Sequence, residues 1–426
     1  EASVVSLSPG ETYNWRVLVN SYTGPWLLYT VPNTASPKLD VSSGFVEVSV
    51  ITPSADTHIQ IKRVDGLLAM GDTITLPAGF NNVEYRAVVG NLKSPDWKSQ
   101  DVPSNEPTFD LDANDDFILL AVDIPNDAAA EDGFVEFRRI FESDGSRTSY
   151  FDGERLYLPE GIPSFQFRVG VNRHVGAWEE VNVVGANPVV LDTTPNFVLV
   201  VVDTPDDATA AGATIEMKNV FDMNGNFMEL GDGDSVILPA RDSAYWRVFV
   251  NGLRGEWMHM RTRIQPVRTL ETNVAFQSVQ FDGLNAATDT DTVAPSVEIQ
   301  GTPTRVTDEE PFVVPVESVL SWRPRVNGFK GAFTELTVGA FGSSMAQVDV
   351  QDKFCLVTAT NYDGLVLNFV GGLAPKSVTD EASLLHLLAG EHVEYRIQGV
   401  EGESVYSVPD AANCPATLTV GSAARK

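Results

Sequence analysis

The chain has 426 residues, and 58 Asp and Glu against 29 Lys and Arg give it a net charge of −29 at pH 7. A surface this acidic repels phosphate backbones and anionic membranes, which argues against nucleic acid as a partner. No apolar run approaches the roughly 20 residues that a membrane helix needs, whereas 43% hydrophobic residues suffice for packed cores.

The first predicted element is a β-hairpin in residues 14–26, which read NWRVLVNSYTGPW. Successive side chains of a strand point to opposite faces, so Trp15, Val17 and Val19 are expected on the core face and Arg16 on the other. The segment NSYTG supplies turn residues, and Trp26 opens the return strand.

This hairpin recurs five more times. Successive Arg residues of the aromatic–Arg pair are 70, 82, 79, 76 and 73 positions apart, and a second aromatic follows each Arg by 10 or 11 positions. An apolar residue precedes each Arg by nine or ten positions, and in four of the six cases Pro follows it. The signature residues are Trp15, Arg16, Trp26, Tyr85, Arg86, Trp97, Phe167, Arg168, Trp178, Trp246, Arg247, Trp257, Trp322, Arg323, Phe333, Tyr395, Arg396 and Tyr406.

The remaining part of the unit repeats as well, because residues 117–137 match residues 197–217 at an offset of 80. Short strands separated by turns are typical of a β-sandwich. The sequence therefore predicts an all-β tandem array of immunoglobulin-like or related β-sandwich repeats, about five complete ones after an N-terminal half repeat. The predicted domains are 1–35, 36–110, 111–192, 193–270, 271–349 and 350–426.

The predicted half repeat, residues 1–35, contains a hairpin but not its partner strands. We expect Trp15, Val17 and Val19 to lack half of their usual cover there. A half sandwich exposes an apolar face and unpaired strand edges, both of which are costly. An upstream segment, the next repeat or another chain has to cover them.

The signature residues are compatible with a structural role and with a binding role. The favoured structural role is that each Arg pairs with an acid on a neighbouring strand while the preceding aromatic fills the core. Under the alternative, aromatic-rich hairpin tips bind a glycan or a basic protein. The tip residues concerned are Tyr22, His174, Phe329 and Lys330.

Oxygen ligands alternate in residues 110–116, DLDANDD, where Asp110, Asp112 and Asn114 resemble the opening of a calcium loop. The Gly and distal Glu of the full pattern are missing, and turn chemistry explains the same residues. Calcium is thus the one candidate cofactor. The five His residues form no zinc motif, so no transition-metal site is expected.

Near the C-terminus, residues 380–390, DEASLLHLLAG, predict one or two helical turns between Asp380 and Gly390. The only two cysteines, Cys355 and Cys414, are expected to form a disulfide within the last repeat, although two free thiols are the alternative. A disulfide favours an oxidising compartment.

No catalytic motif is present, so the sequence does not indicate an enzyme. The first functional hypothesis is a structural protein whose copies self-assemble into a filament, sheath, protein shell or virion component. The second is an extracellular adhesion or glycan-binding array. The expected location is extracellular, at a cell surface or in a virion, with an organellar or other protein shell as a further possibility.

Overall fold

The structure is a computed structural model. It describes residues 5–420 except 35, 81, 142–146, 184–187, 222–224, 226, 285–294, 301, 307–310, 344, 362–366, 371–381 and 398–401.

The structure confirms the all-β prediction, with 55% strand and 8% helix. Strands fall into six sets, which we call repeat 1 (residues 12–30), repeat 2 (45–112), repeat 3 (117–192), repeat 4 (197–271), repeat 5 (276–349) and repeat 6 (354–420). Repeats 2 to 6 each contain strands of two sheets, as a sandwich requires. Repeat 1 contains one hairpin.

The strands of repeat 1 are Thr12–Trp15, Leu18–Val19, Tyr22–Thr23 and Leu27–Thr30. Those of repeat 2 are Phe45–Ile51, His58–Ile61, Leu68–Ala69, Thr73–Pro77, Val83–Val89, Leu92–Lys93, Lys98–Gln100 and Thr108–Asp112. Those of repeat 3 are Phe117–Asp123, Phe134–Phe141, Arg147–Tyr150, Arg155–Pro159, Ser164–Val171, His174–Val175, Glu179–Asn182 and Val189–Asp192.

Repeat 4 has strands Phe197–Asp203, Thr214–Phe221, Phe227–Leu230, Ser235–Pro239, Ser243–Val250, Leu253–Arg254, Met258–Arg261 and Val267–Glu271. Repeat 5 has Phe276–Asp282, Ser296–Ile299, Thr302–Val306, Pro311–Pro315, Val319–Val326, Phe329–Lys330, Thr334–Thr337 and Ala346–Asp349. Repeat 6 has Phe354–Asn361, Leu367–Val370, Ala382–Leu388, His392–Ile397, Ser404–Ser407 and Ala416–Val420.

Helical segments are short. Two α-helical turns lie at Asn126–Ala130 and Asp206–Ala210, and turns of 3₁₀ helix lie at Ser42–Gly44, Asn114–Asp116, Thr194–Asn196, Asn273–Ala275, Gln351–Lys353 and Ala411–Asn413.

In the first sheet of a repeat, the central strand is the first strand of that repeat. In repeat 3, Phe117–Asp123 pairs antiparallel with Arg155–Pro159, the strand that carries the Leu-Pro anchor, and parallel with the last strand, Val189–Asp192. The same arrangement occurs in repeats 2, 5 and 6. Each of these sheets is therefore mixed, and its central strand buries Val, Leu and Phe side chains.

The second sheet has the signature strand in its centre, by which we mean the strand that carries the aromatic–Arg pair. In repeat 3 this strand, Ser164–Val171, pairs on one edge with Phe134–Phe141 and on the other with the hairpin strands that follow it. Its inward side chains Phe165, Phe167 and Val169 are buried. The second strand of the repeat and the hairpin strands thus pair with the signature strand on its two edges, on either side of the signature Arg.

Repeats 2 to 6 follow one another through four-residue linkers, at residues 113–116, 193–196, 272–275 and 350–353. The first linker residue is buried in every case: Ala113, Thr193, Thr272 and Val350. In three linkers an Asp that ends the previous strand accepts a hydrogen bond from the backbone N–H two residues later, namely Asp112, Asp192 and Asp349. These are Asx turns, which fix the local path of the chain.

Three expectations need correction. The boundaries predicted after residues 110 and 270 fall inside the strands Thr108–Asp112 and Val267–Glu271. Ala382–Leu388 is not helical but pairs antiparallel with Phe354–Asn361 along seven residues, while residues 380 and 381 lie outside the described residues. Ladder pairing and burial of Leu385 and Leu387 outweigh the helical spacing of the leucines.

The chain forms two compact units. The first comprises residues 1–199, 237–242 and 262–266, and the second comprises residues 200–236, 243–261 and 267–426. In the first unit, repeats 2 and 3 share a continuous core that includes Ile59, Leu120 and Phe137.

Candidate functional site

The tip of the signature hairpin has a fixed backbone conformation. The residue four positions after the signature Arg has a positive φ, 49° at Asn20, 50° at Asn172, 51° at Asn251 and 52° at Asn327. Asn tolerates this left-handed region better than most residues, and tight two-residue hairpins require it. In repeat 2 Gly90 takes this place with a φ of 54°.

This Asn contacts the next repeat. The side-chain amide of Asn20 donates to the carbonyl oxygen of Thr75 at 2.9 Å, and that of Asn172 donates to Ile237 at 3.1 Å. In the second compact unit, Asn251 donates to Val313 and Asn327 to His386, each at 2.9 Å. Every acceptor immediately precedes the apolar anchor residue of the following repeat, so the same junction is built four times.

A glycine and a proline complete three of these junctions. A Cβ on Gly24 would lie 2.9 Å from the Cβ of Pro77, and the corresponding distances are 3.1 Å for Gly176 against Pro239 and 3.1 Å for Gly255 against Pro315. The first distance is shorter than real Cβ contacts, and the other two are tighter than most of them, so a side chain at these positions would press on the proline. The glycine thus permits the hairpin to lie directly on the proline that follows the anchor.

The junction of repeats 2 and 3 uses ion pairs instead. Lys98 contacts Asp116 and Glu160, its Nζ lying 2.9 Å from Oε2 of Glu160, and Ser94 donates to the carbonyl oxygen of Glu160 at 2.8 Å. Burial opposes the charge on Lys98, but hydrogen bonds to the two carboxylates raise the pKa of Lys98. Burial, together with the charge of Asp116, raises the pKa of the neighbouring Tyr85 to about 12.

Of the four hairpin-tip residues that the glycan alternative names, two are buried. Tyr22 is 2% exposed and His174 6% exposed, and His174 lies 3.5 Å from Asp242. Phe329 is half-buried against the cores of repeats 5 and 6, whereas Lys330 is exposed and lies 3.3 Å from Glu298. The tips face the next repeat, because that contact buries their apolar surface.

The second signature aromatic lies against the Arg on the outer face. Guanidinium carbons stand over the rings at 4.4 to 4.7 Å in five repeats, close enough for a cation–π interaction. The pairs are Arg16–Trp26, Arg86–Trp97, Arg168–Trp178, Arg247–Trp257 and Arg323–Phe333. The first aromatic instead points inward, and Tyr85, Phe167, Trp246 and Trp322 are buried.

A polar residue of the second strand of the repeat stands opposite each of five signature Arg residues. The pairs are Gln60–Arg86, Glu136–Arg168, Glu216–Arg247, Glu298–Arg323 and Asn368–Arg396. Glu216 is buried, and its Oε2 accepts hydrogen bonds from Nε and Nη2 of Arg247, both at 2.7 Å. Arg396 also contacts Glu403 on the outer side.

The sequence did not single out these partner residues. They precede their Arg by 25 to 32 positions, so no fixed spacing reveals them. The available signal was a Glu, Gln or Asn between two apolar residues in the second strand of each repeat. Burial alone would raise the pKa of Glu298, but the hydrogen bonds and charges of Arg323 and Lys330 lower it overall.

The proposed calcium residues are exposed. Asp110 and Asp112 belong to the last strand of repeat 2, and Asp112 accepts its hydrogen bond from the backbone N–H of Asn114 at 3.0 Å. Within the described ranges, no three His, Cys, Asp or Glu side chains converge on a common point as metal ligands would. Asp112 thus has a local structural role, and calcium binding here stays a prediction.

Repeat 1 is partly covered by repeat 2. Val17 is buried, and its side chain contacts the region of Gly44, while Tyr22 packs edge-on to Phe80 with ring centroids 4.8 Å apart. The expectation that Val17 lacks its cover is therefore wrong, whereas Trp15 and Val19 are only half-buried. On the outer face, Leu18 is 70%, Trp26 60% and Leu28 74% exposed. We call these three residues the outer patch of repeat 1.

A disulfide links Cys355 to Cys414, whose Cα atoms are 5.4 Å apart. Cys355 is buried in the core of repeat 6 beside Val357 and Leu387. The bridge joins the first strand of the repeat to the turn before its last strand. Among the described helices, none is long and apolar enough to cross a membrane.

No protein-family model matches the chain, and no curated protein matches it. Among solved structures it is similar to the Bacillus anthracis TIE protein, with 10% identity over 88% of this chain and 72% of that one and a TM-score of 0.16. The major pilin subunit BcpA of Bacillus cereus shows 11% identity over 54% of this chain and 98% of its own, with a TM-score of 0.14.

The pilus adhesin SpaC of Lactobacillus rhamnosus GG shows 10% identity over 86% of this chain and 49% of that one, with a TM-score of 0.16. Similarity at this level carries no functional argument.

Proposed function

We propose that this protein is a non-enzymatic structural protein whose copies self-assemble into a filament, sheath, protein shell or virion component. The observation that carries the proposal is the outer patch of repeat 1, where Leu18, Trp26 and Leu28 are largely exposed on the outer face of one hairpin. Exposed apolar surface favours association, because burying it removes it from water.

The construction of the chain supports the same role. Four-residue linkers that each begin with a buried residue, together with a repeated hydrogen bond, join neighbouring repeats, which is typical of tandem arrays with extended lateral surfaces. The Cys355–Cys414 disulfide supports an extracellular, cell-surface or virion location, since such bonds persist in oxidising compartments. An organellar or other protein shell is the alternative location.

The net charge of −29 sets a condition for assembly. Copies of so acidic a chain repel one another, and salt screens this repulsion over about 8–10 Å at physiological ionic strength. Polymers are therefore expected to grow more readily as salt is raised. Bound calcium at Asp110, Asp112 and Asn114, which we include as a proposal, would act in the same direction.

Sedimentation velocity and negative-stain microscopy of the purified chain test the proposal. The wild-type chain should form ordered polymers as concentration and salt rise, and a Leu18→Ser/Leu28→Ser variant should remain monomeric. Val190→Ser is the matched control, because Val190 is equally an exposed apolar residue of a strand. A wild-type chain that stays monomeric under all conditions, or a double variant that polymerises equally well, contradicts the proposal.

Glycan binding is the second candidate function. It is favoured by the exposed rings of Trp26 and Phe333, which lie on the outer face and not among the buried residues of the hairpin tips. Aromatic faces stack on sugars, and several weak sites on one chain would add by avidity. A glycan array probed with wild-type chain and with a Trp26→Ala/Phe333→Ala variant distinguishes the two candidates, because only glycan binding predicts a signal that the variant loses.

A further inference from the structure

The junction of repeats 2 and 3 brings one amine and two carboxyl groups into contact. Nζ of Lys98 contacts Oδ1 of Asp116 and lies 2.9 Å from Oε2 of Glu160. The backbone N–H of Glu160 donates to the carbonyl oxygen of Asp116 at 2.8 Å, which holds the two acids side by side. All three residues belong to the first compact unit. An amine and a carboxyl group in contact are the reactants of an amide bond.

Asp116 is the buried member of this cluster. It is 5% exposed, and its second carboxyl oxygen, Oδ2, is buried without a hydrogen-bond partner. Such an oxygen is costly, because neither water nor the protein replaces its lost hydration. Condensation of Asp116 with Lys98 removes one carboxyl oxygen and replaces two opposite charges by one neutral amide. The burial of Asp116 therefore favours the product of this reaction.

The three junctions that follow do not offer these reactants. The positions concerned are the residue after the second signature aromatic, the last linker residue and the second residue after the apolar anchor. They hold Lys98, Asp116 and Glu160 here, and then in turn Glu179, Asn196 and Ala240; Met258, Ala275 and Val316; and Thr334, Lys353 and Ala389. The junction of repeats 2 and 3 is also the one whose hairpin carries Gly90 in place of Asn, so a covalent link here takes the place of the amide hydrogen bond.

We propose that Lys98 and Asp116 form an intramolecular isopeptide bond, with Glu160 as the group that transfers a proton between them. A bond forms between Nζ of Lys98 and Cγ of Asp116, the bond from Cγ to one carboxyl oxygen breaks, and that oxygen leaves as water. Nothing is oxidised or reduced, and no co-reactant is needed. Contact between the two groups drives the condensation, because effective molarities of well-oriented intramolecular reactions reach about 10⁵–10⁸ M.

The protons move within the cluster. Although burial opposes the charge on Lys98, hydrogen bonds to Asp116 and Glu160 raise its pKa, so the amine starts as an ammonium group. The ammonium group passes one proton to Asp116, which leaves a lone pair on Nζ and a neutral carboxyl group that it can attack. Glu160 then takes a second proton from Nζ, returns it to the departing hydroxyl group and ends as a carboxylate. A cavity of about 240 Å³ beside these residues has room for the water.

The bond lies within one chain and joins residues 18 positions apart. It goes beyond the proposed function and does not depend on it, because a chain that never polymerises still contains all three residues. Its effect is to fasten the strand Lys98–Gln100 of repeat 2 to the linker that leads into repeat 3.

Intact mass spectrometry of the purified chain tests the proposal. After reduction of the disulfide, the wild-type mass should fall below the sequence mass by one water. Lys98→Arg keeps the charge but lacks the reactive amine, and Glu160→Gln cannot transfer the proton, so both variants should have the full mass. Lys62→Arg is the matched control and should still lack one water, because Lys62 forms an exposed ion pair with Glu84 at 2.7 Å.

Trypsin locates the bond. It should cut the wild-type chain after Lys93 and Arg138 but not after Lys98, because an acylated lysine is no longer a substrate. Residues 94–138 should therefore appear as one peptide that lacks one water, whereas the Glu160→Gln chain should be cut after Lys98. Fragment spectra of the wild-type peptide should place the link between Lys98 and Asp116.

Two results would overturn the isopeptide bond. The first is a wild-type chain with the full sequence mass, which decides the matter even if a variant fails to fold. The second is a loss of water that persists in Lys98→Arg, since a succinimide at another aspartate then accounts for it. A Glu160→Gln chain that lacks one water, with the link in place, would overturn the role of Glu160.

Discussion

The side-chain amide of Asn251 donates a hydrogen bond to the carbonyl oxygen of Val313, 2.9 Å away, and thereby connects the hairpin of repeat 4 to the anchor strand of repeat 5. Asn251 has two functions at once. Its backbone takes the positive φ of 51° that the turn requires, and its side chain reaches the next repeat. These functions can be separated by substitution.

Asn251→Ala should destabilise the junction of repeats 4 and 5 by about 2 kcal/mol, since it removes a hydrogen bond and places an ordinary residue at positive φ. Asn251→Gly should cost about 1 kcal/mol, because glycine keeps the turn and loses only the hydrogen bond. Hydrogen exchange of Ser243–Val250 and Pro311–Pro315 measures both. If these strands exchange in the Asn251→Ala variant at the wild-type rate, the hydrogen bond contributes nothing to the stability of the junction.

Trp246→Ala should destabilise repeat 4 by about 3–5 kcal/mol, because Trp246 is only 4% exposed and its removal leaves a cavity. Trp257→Ala is the comparison. That ring is half-buried on the outer face and stacks on Arg247 at 4.4 Å, so its removal should cost no more than about 2 kcal/mol. Denaturant-dependent hydrogen exchange in repeat 4 measures the stability that each variant loses. Equal losses would contradict the placement of Trp246 in the core and Trp257 on the outer face.

A Cys355→Ser/Cys414→Ser variant should lose on the order of 4 kcal/mol of stability in repeat 6, because the bridge closes a loop with a sequence separation of 59 residues. The other repeats should unfold as in the wild type. Thiol titration of the denatured, unreduced wild-type chain should detect no free thiol. Two reactive thiols per chain would show that the bond does not form.

Repeat 5 should lose stability in acid through Glu298. The pKa of Glu298 is lowered in the folded chain, so its contribution is complete above the ordinary value of 4.5 and disappears as pH falls through the lowered folded pKa. Hydrogen exchange of Val319–Val326 between pH 5 and pH 2 should show this loss. A Glu298→Gln variant should lack the part of the acid-induced loss of stability that Glu298 causes. If stability falls with pH in the variant just as in the wild type, the loss does not come from Glu298.

The repeat itself could be predicted from the sequence, because its most regular residues lie on a single strand. The aromatic before each Arg points into the core, and the alternation that places Trp246 inside and Arg247 outside follows from strand geometry alone. The count of five complete sandwiches and one hairpin follows from the six aromatic–Arg pairs.

The junctions could not be predicted in the same way. Asn172 and Asn251 resemble ordinary turn residues, and their partners are backbone carbonyl groups, which leave no trace in the identity of residues 237 and 313. Likewise, the polar residue opposite five of the signature Arg residues depends on pairing between strands that are 25 to 32 positions apart in the sequence. Ala382–Leu388 adopts a strand for a similar reason, since its partner strand lies far away in the sequence.

The recurrent contact between an Asn side chain and a backbone carbonyl has an evolutionary consequence. The hydrogen bond of such a joint accepts any residue as its backbone acceptor, here Thr75, Ile237, Val313 or His386, so that residue is free to diverge while the bond persists. Duplication or loss of a whole module leaves the remaining joints intact. The number of modules is therefore free to vary by recombination among descendants of one gene, and comparison of homologues of different length would reveal joints that are more uniform than the cores they connect.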